Sequence, residues 1–284
     1  MHASHVTHRF LTVFSLIAIT CLALSGCGSA DKKAAEAAAK LERPPEQIYN
    51  EAAAALKDGK YTKAIQLYQE VERQHPYSEL ATKGQVMAAY AAYQNVKYDE
   101  AIIALDRFIE LHPGHPDVAY AYYLKALCYY EQISDVKRDQ EMTRLALQSM
   151  TTVIERFPNT DYAREATLKR DLTLDHLAGK EMEVGRYYLK RGYMNAAINR
   201  FMVVIRDYQT TTHTPEALHR LVESYKTLGL ENDALRVAAV LGYNYPGSKW
   251  YEDSYLLFNP EQRKALRSGK SWVDRTIDSL LRPS

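Results

Sequence analysis

The sequence predicts an all-α fold, in which a helical solenoid of five repeats is followed by a C-terminal helical extension. An alanine followed twelve residues later by a proline recurs along the chain, and this indicates a repeated structural unit. The pairs are Ala64 with Pro76, Ala101 with Pro113, Ala146 with Pro158, and Ala234 with Pro246. Apolar residues within the units have helical spacing, as at Leu218, Leu221 and Val222. The 12 Gly and 22 Tyr favour helices packed on helices over an α/β enzyme with glycine-rich phosphate loops.

The period and pattern resemble the tetratricopeptide repeat, in which a small residue lets two helices approach closely and a proline ends the second helix. A further unit starts at Tyr193-Met194-Asn195-Ala196, and its twelfth position is Tyr208 rather than proline. We therefore expect about ten repeat helices, one or two more at the C-terminus, and no sheet.

Two stretches depart from the regular repeat. Prolines 113 and 158 are 45 residues apart, against 37 for prolines 76 and 113, and the eight extra residues fit best in a polar loop around 133–140. Residues 161–191 contain no proline and are long enough for one very long helix or for two. Gly179 is the expected weak point of this stretch.

The N-terminus has the pattern of a bacterial lipoprotein signal. Residues 10–24 form an uncharged, mostly apolar run that follows the basic Arg9 and is short for a membrane span. The run ends in Leu24-Ser25-Gly26-Cys27, which resembles the lipobox where the chain is cut before the cysteine. We expect Cys27 to carry a diacylglycerol and an N-acyl chain, and no other cofactor. The alternative is an ordinary secretory signal in which Cys27 is incidental.

These features divide the chain into five segments. Residues 1–26 are the signal peptide, 27–44 the lipidated cysteine and tether, 45–160 repeats one to three, 161–248 repeats four and five, and 249–284 the C-terminal helical extension. In the extension, the apolar residues Trp272, Ile277, Leu280 and Leu281 suggest a helix that closes the last repeat.

Composition and motifs argue against nucleic-acid binding and catalysis. The formal net charge is +1, so the basic footprint of a nucleic-acid-binding protein is missing. Cys128, flanked by apolar and aromatic residues, is expected to be a buried, inert thiol. His75 and His112 each precede a helix-ending proline, which favours helix termini over a metal site. We expect no catalytic residue and no metal. A peptidoglycan lyase, the enzyme alternative, needs a globular domain for which the chain has no room after Pro246.

Two groups of residues suggest protein binding. Tyrosines crowd the first helices of units two and three, among them Tyr90, Tyr93, Tyr120 and Tyr123. Tyrosine gives a large contact area at low entropic cost, although several of these rings must belong to the core, and we expect about half of them to do so. The second group consists of Arg191, Arg200 and Arg206 close to aromatic residues, a composition typical of interface hot spots. Surface arginines paired with acids such as Asp207 would account for it equally well.

The most specific strings are Asp106-Arg107-Phe108-Ile109, Tyr187-Tyr188-Leu189-Lys190-Arg191-Gly192, and Asn199-Arg200 with Arg206-Asp207-Tyr208. With the lipobox and the repeats, they resemble the BamD family, the repeat lipoproteins of the β-barrel assembly machinery. The resemblance implies that the C-terminal half docks the last POTRA domain of the barrel insertase (BamA-like) through Arg200, Arg191 and Asn199, with a salt bridge from Arg200.

By the same resemblance, the N-terminal half binds unfolded outer-membrane β-barrel proteins near Tyr90, Tyr93, Tyr120 and Tyr123. The other lipoproteins of the assembly complex are further expected partners. By resemblance to the lipoprotein sorting rule of enteric bacteria, Gly28 after Cys27 favours the outer membrane, which would place the lipid-anchored chain on its periplasmic face. The alternative function is a periplasmic repeat scaffold for envelope division or pilus assembly, with the same fold and anchor.

Overall fold

The computed structural model describes residues 43–268, and all regular secondary structure in this range is α-helical. The chain divides into two compact units, one ending at Asn95 and the other beginning at Val96. The all-α prediction is confirmed for the described residues. None of their helices is long and apolar enough to cross a membrane.

The first unit consists of helices α1 (Pro45–Lys57), α2 (Tyr61–Gln74) and α3 (Glu79–Gln94). Helix α2 packs on both neighbours, and α1 also contacts α3. Small residues make this approach possible, because Ala52 of α1 and Ala64 of α2 are completely buried. The ring of Tyr68 fills the space beside them. Burial of these apolar side chains stabilises the three-helix arrangement.

The second unit continues the same pattern of consecutive packing. Its helices are α4 (Tyr98–Leu111), α5 (Val118–Tyr130), α6 (Glu141–Arg156), α7 (Asp161–Lys190), α8 (Met194–Asp207), α9 (Thr214–Thr227), α10 (Glu231–Asn244), α11 (Lys249–Leu256) and α12 (Pro260–Ser268). Each helix from α4 to α10 packs on the next, and α11 packs on α9 and α10. The residues that the structure describes thus form ten helices before Pro246 and two after it, as expected.

The alanines of the repeat pattern lie where helices meet. Four of them are completely buried, namely Ala64, Ala101, Ala146 and Ala234. In the unit that lacks the proline, the sequence register was wrong by one residue. Ala197 rather than Ala196 is the buried alanine, because the turn there extends through Tyr193 and helix α8 begins only at Met194.

Helix α7 runs unbroken for 30 residues, so Gly179 does not end it. A Cβ atom at Gly179 would lie 3.2 Å from His213 Nε2 and 3.6 Å from Val136 Cγ1. The glycine therefore provides room for neighbouring segments rather than a break. Val136 belongs to the loop expected around 133–140, which the structure places between α5 and α6. The Lys180 amino group holds this loop on α7 by donating to the carbonyl oxygens of Lys137 and Arg138.

Several predicted features lie outside the described residues. They are the signal, Cys27, most of the tether, and the closing helix with Trp272, Ile277, Leu280 and Leu281. The predicted division of the repeats after residue 160 stays a prediction; helices α6 and α7, on either side of it, pack against each other.

Gly185 marks the closest approach of α7 to α8. A Cβ atom there would lie 2.4 Å from Cε1 of Phe201, whose ring is completely buried. Because the ring has little room to move, we expect Gly185→Ala to lower the free energy of unfolding by about 2 kcal/mol. Urea titration followed by circular dichroism measures the change. Gly114→Ala is the matched control, since a Cβ atom there meets nothing within 4 Å. Equal stability of the two variants would contradict the prediction.

A candidate protein-binding groove on helices α7 and α8

A surface groove of about 270 Å³ lies between the end of α7 and the middle of α8. It is lined by Tyr188, Ala196, Asn199, Arg200 and Val203. The four α8 residues follow the i, i+3, i+4, i+7 spacing and therefore share one face of that helix. The opposite face, which carries Ala197, Phe201, Val204 and Ile205, is buried. The core face of α8 thus fixes the orientation of the groove face.

An aromatic cluster borders this groove, held by the turn between the two helices. Gly192 has a φ of 78°, a conformation that favours glycine, and lets the chain reverse within three residues. The ring of Tyr188 then lies 5.6 Å from that of Tyr187 and 6.4 Å from that of Tyr193. The guanidinium of Arg191 stacks over Tyr187 at 4.6 Å. Tyr187 and Tyr193 are both about half exposed, so this cluster presents aromatic surface to solvent.

Arg200 brings positive charge to the groove. Its Nη1 donates to Glu181 Oε2 at 3.1 Å, and the two side chains are 44% and 20% exposed. Glu181 therefore orients the guanidinium from the buried side. A guanidinium has five N–H donors in a rigid fork, and this contact uses one of them. Arg200 can accordingly offer further donors to an acidic partner.

Arg206, the third arginine of this region, is paired differently. It forms two hydrogen bonds of 2.8 Å to the neighbouring Asp207. These bonds hold the pKa of the Asp207 carboxyl below its usual range, against the opposing effect of burial. The simpler interpretation, a surface arginine satisfied by a nearby acid, therefore fits Arg206.

The four predicted peptide-binding tyrosines fall in both units. In the first unit, the half-buried rings of Tyr90 and Tyr93 stack 6.5 Å apart, and Gln94 donates to the Tyr90 hydroxyl. In the second unit, Tyr120 and Tyr123 both pack against Tyr162. Tyr120 is half-buried.

Tyr123 contributes mostly to the interior of the second unit. It is only 6% exposed, and its hydroxyl donates to Glu165 at 2.6 Å. The reason is that α5 lies beside α7, so a ring on the facing side of α5 is enclosed. Tyr123 can therefore offer a bound peptide little more than its edge.

Cys128 is buried, as expected, and burial raises the pKa of its thiol to about 12. At neutral pH it is therefore a thiol with almost no thiolate, which makes it unreactive. Cys27, the predicted lipidation site, lies outside the described residues. Among residues 43–268, no group of three or more His, Cys, Asp or Glu side chains could hold a metal ion.

Sequence reasoning missed two residues that line the groove, Ala196 and Val203, and one that supports it, Glu181. Ala196 and Val203 could have been found, because they lie one helical turn from Asn199 and Arg200. Glu181 could not, since it is 19 residues from Arg200 and only the packing of α7 on α8 brings them together.

Comparison with known proteins places the chain in context. Residues 41–241 match the YfiO family model, described as an outer membrane lipoprotein. An outer membrane protein assembly factor BamD from Caulobacter vibrioides is 51% identical over 86% of this chain and 80% of its own length. The BamD protein of Rickettsia prowazekii is 47% identical over 88% of this chain and 97% of its own length. Among solved structures, the TPR2AB-domain:pHSP90 complex of yeast Sti1 covers 84% of this chain and 96% of its own length. It has a TM-score of 0.40 and 12% identity.

Proposed function

Because this chain belongs to the BamD (YfiO) family of outer membrane lipoproteins, we propose that it acts in outer membrane protein assembly as a non-catalytic, lipid-anchored scaffold. In this role it would hold the barrel insertase with one surface and unfolded β-barrel proteins with another. Its membership associates it with the outer membrane, and the lipobox at Cys27 supports an acyl anchor on the periplasmic face.

The groove between α7 and α8 is the proposed insertase-binding site. The observation that carries this assignment is the grouping of Arg200, Asn199 and Tyr188 in one groove, with Arg191 stacked on Tyr187 at its border. Exposed aromatic rings beside an arginine are typical of interface hot spots. An acidic side chain on a POTRA domain of a BamA-like insertase is the partner that such a groove suits.

The proposed substrate-binding residues are Tyr90 and Tyr93 within the first unit and, as a separate patch within the second unit, Tyr120. Tyr123 would support it by positioning Tyr162 and Glu165. An extended chain ending in an aromatic residue could stack on such rings. Binding both substrate and insertase would raise their effective concentration without any chemical step. Other lipoproteins of the assembly complex are further proposed partners.

We expect Arg200→Glu to weaken insertase binding at least thirtyfold, which corresponds to about 2 kcal/mol for a lost interfacial charge pair. The measurement is recovery of a large barrel protein with periplasmic repeats in a mild-detergent pull-down from native envelopes. Arg164→Glu is the matched control. It makes the same charge change on the exposed part of α7, where Arg164 pairs with Asp161.

The charge swap Arg200→Glu with Glu181→Arg separates two explanations. The swap restores an ion pair between positions 181 and 200. It nevertheless leaves an acid at position 200, where the insertase would otherwise meet the base Arg200. If Arg200 binds the insertase, the swap variant stays defective. Recovery of binding in the swap would show that Arg200 acts only inside the fold, and capture of division or pilus proteins by wild type would contradict the assembly role itself.

A further inference from the structure

The turns that join successive repeats have one construction. In each, the amide of the fourth residue donates to the carbonyl of the first, which closes a four-residue turn. The closing pairs are Ser78 with His75, His115 with His112, Thr160 with Phe157, Thr211 with Tyr208, and Ser248 with Tyr245. The second residue of the turn is proline in all but one, where it is Gln209. Five equivalent positions can therefore be compared within one chain.

The third residue of these turns sets the first repeat apart. Four of the turns carry a small or polar residue there, namely Gly114, Asn159, Thr210 and Gly247. Such residues are ordinary choices at a turn tip. The first turn carries Tyr77, whose side chain is fully exposed at 102% relative accessibility.

The turn holds Tyr77 in a fixed position. Pro76 restricts the backbone before it. Ser78 after it caps helix α3 by accepting a hydrogen bond from the amide of Leu80. The ring therefore projects into water from a rigid turn between two helices. In this position the ring is available to contact a surface outside the chain.

The tether joins the first unit beside this turn. The amide of Arg43 donates to the Gln74 side chain at 3.0 Å, and the Arg43 carbonyl lies 2.6 Å from His75 Nε2. Both partners immediately precede Pro76. Residues 28–42 connect this point to Cys27, and a chain of that length reaches at most about 55 Å.

We propose that Tyr77 inserts into the headgroup region of the membrane that anchors Cys27, so that the first unit contacts lipid through this turn. The inference rests on the proposed lipidation. Tyrosine suits this location because its ring is apolar and its hydroxyl can stay hydrated, and it is enriched at membrane interfaces. The exposed charges closest to Tyr77 in sequence are of both signs, with Arg73 before it and Glu79 after it. The contact therefore depends on the ring rather than on attraction to anionic lipid.

The chain suits site-directed spin labelling of this contact. In the mature lipidated protein Cys27 is acylated and Cys128 is buried, so an introduced cysteine is the reactive thiol. The lipidated chain would carry a nitroxide at Tyr77→Cys and be reconstituted in vesicles of phosphatidylethanolamine and phosphatidylglycerol. Power saturation then compares its accessibility to oxygen, which partitions into lipid, and to a water-soluble nickel chelate. Lys60→Cys is the matched control, since it is exposed at the other end of the 14-residue α2, about 20 Å away.

We expect the label at position 77 to become less accessible to the chelate and more accessible to oxygen when vesicles are added. The label at position 60 should keep both accessibilities unchanged.

A second label, at Glu79→Cys, tests the native tyrosine ring. Its accessibility to the chelate should fall on vesicle binding when Tyr77 is present, and should fall less in the Tyr77→Ser background. If the chain floats with the vesicles while position 77 stays fully accessible to the chelate, the membrane contact is wrong. If the chain does not float, the lipid anchor of the proposed function is wrong.

Discussion

Phe201→Ala is expected to lower the free energy of unfolding by about 4 kcal/mol, the range found when a fully buried phenylalanine is truncated. Phe201 lies on the buried face of α8 in a hydrophobic cluster of the second unit, with Met182 of α7 and Leu221 of α9. Removing its ring leaves a cavity between three helices that cannot all move inward. Urea titration of the mature chain with Cys27→Ser, followed by circular dichroism, measures the loss.

The double variant Gly185→Ala with Phe201→Ala tests the physical cause. In the wild type, a Cβ atom at residue 185 would lie 2.4 to 2.9 Å from three atoms of the Phe201 ring. Without that ring, the added methyl group occupies part of the cavity instead of colliding. We therefore expect Gly185→Ala to be neutral or stabilising in the Phe201→Ala background. Additive losses of stability would show that the two residues do not restrict each other.

Glu223→Gln is expected to lower the free energy of unfolding at pH 7 by about 2 kcal/mol. Burial raises the pKa of Glu223, but hydrogen bonds from His219 and Arg220 and the charge of Arg220 outweigh this effect and bring the pKa to about 2. The pKa shift of Glu223 from the usual 4.5 to about 2 corresponds to about 3 kcal/mol of folding free energy. We expect a smaller loss, of about 2 kcal/mol, because the side chain is still 32% exposed and solvent screens the interaction.

The pH dependence of this effect has a definite sign. A carboxyl whose pKa is lower in the folded state stabilises the fold above its unfolded pKa, and this contribution is lost as the pH falls through the folded value. The stability difference between wild type and Glu223→Gln should thus be full above pH 5 and shrink between about pH 4.5 and pH 2. Glu155→Gln on the exposed side of α6 is the control, and we expect it to change the free energy of unfolding little throughout this pH range. If the stability difference between wild type and Glu223→Gln stayed constant down to pH 2, the assignment of a lowered pKa to Glu223 would be wrong.

This ion pair belongs to the contact that holds helix α11 on α9. His219 Nδ1 lies 2.8 Å from Ser254 Oγ, and Trp250 packs against both His219 and Arg220 at 5.3 Å. Glu223→Gln removes the negative charge that Arg220 and His219 share, and among the described residues only Glu216 then remains as a charged acceptor for Arg220. The same variant should therefore expose Trp250, which a red shift of its fluorescence would report.

The sequence alone determined the architecture. Buried alanines, turn prolines and helical spacing are local signals, because a helix and its ends depend on residues within a few positions. Family membership followed from strings such as Asn199-Arg200, and the comparisons confirmed it. The long α7 was left open as one helix or two. A glycine can weaken a helix or make room for a neighbour, and only the packing distinguishes these roles.

The tertiary structure decided what each side chain does. It separated Arg200, which lines a groove, from Arg206, which is satisfied by Asp207. It enclosed Tyr123 in helix α5 and left Tyr77 in a turn fully exposed, although both are tyrosines. Burial and pairing depend on residues distant in sequence, such as Glu181 for Arg200 and Glu165 for Tyr123. Their proximity arises only when the helices pack, so the one-dimensional pattern can predict the helices but not these contacts.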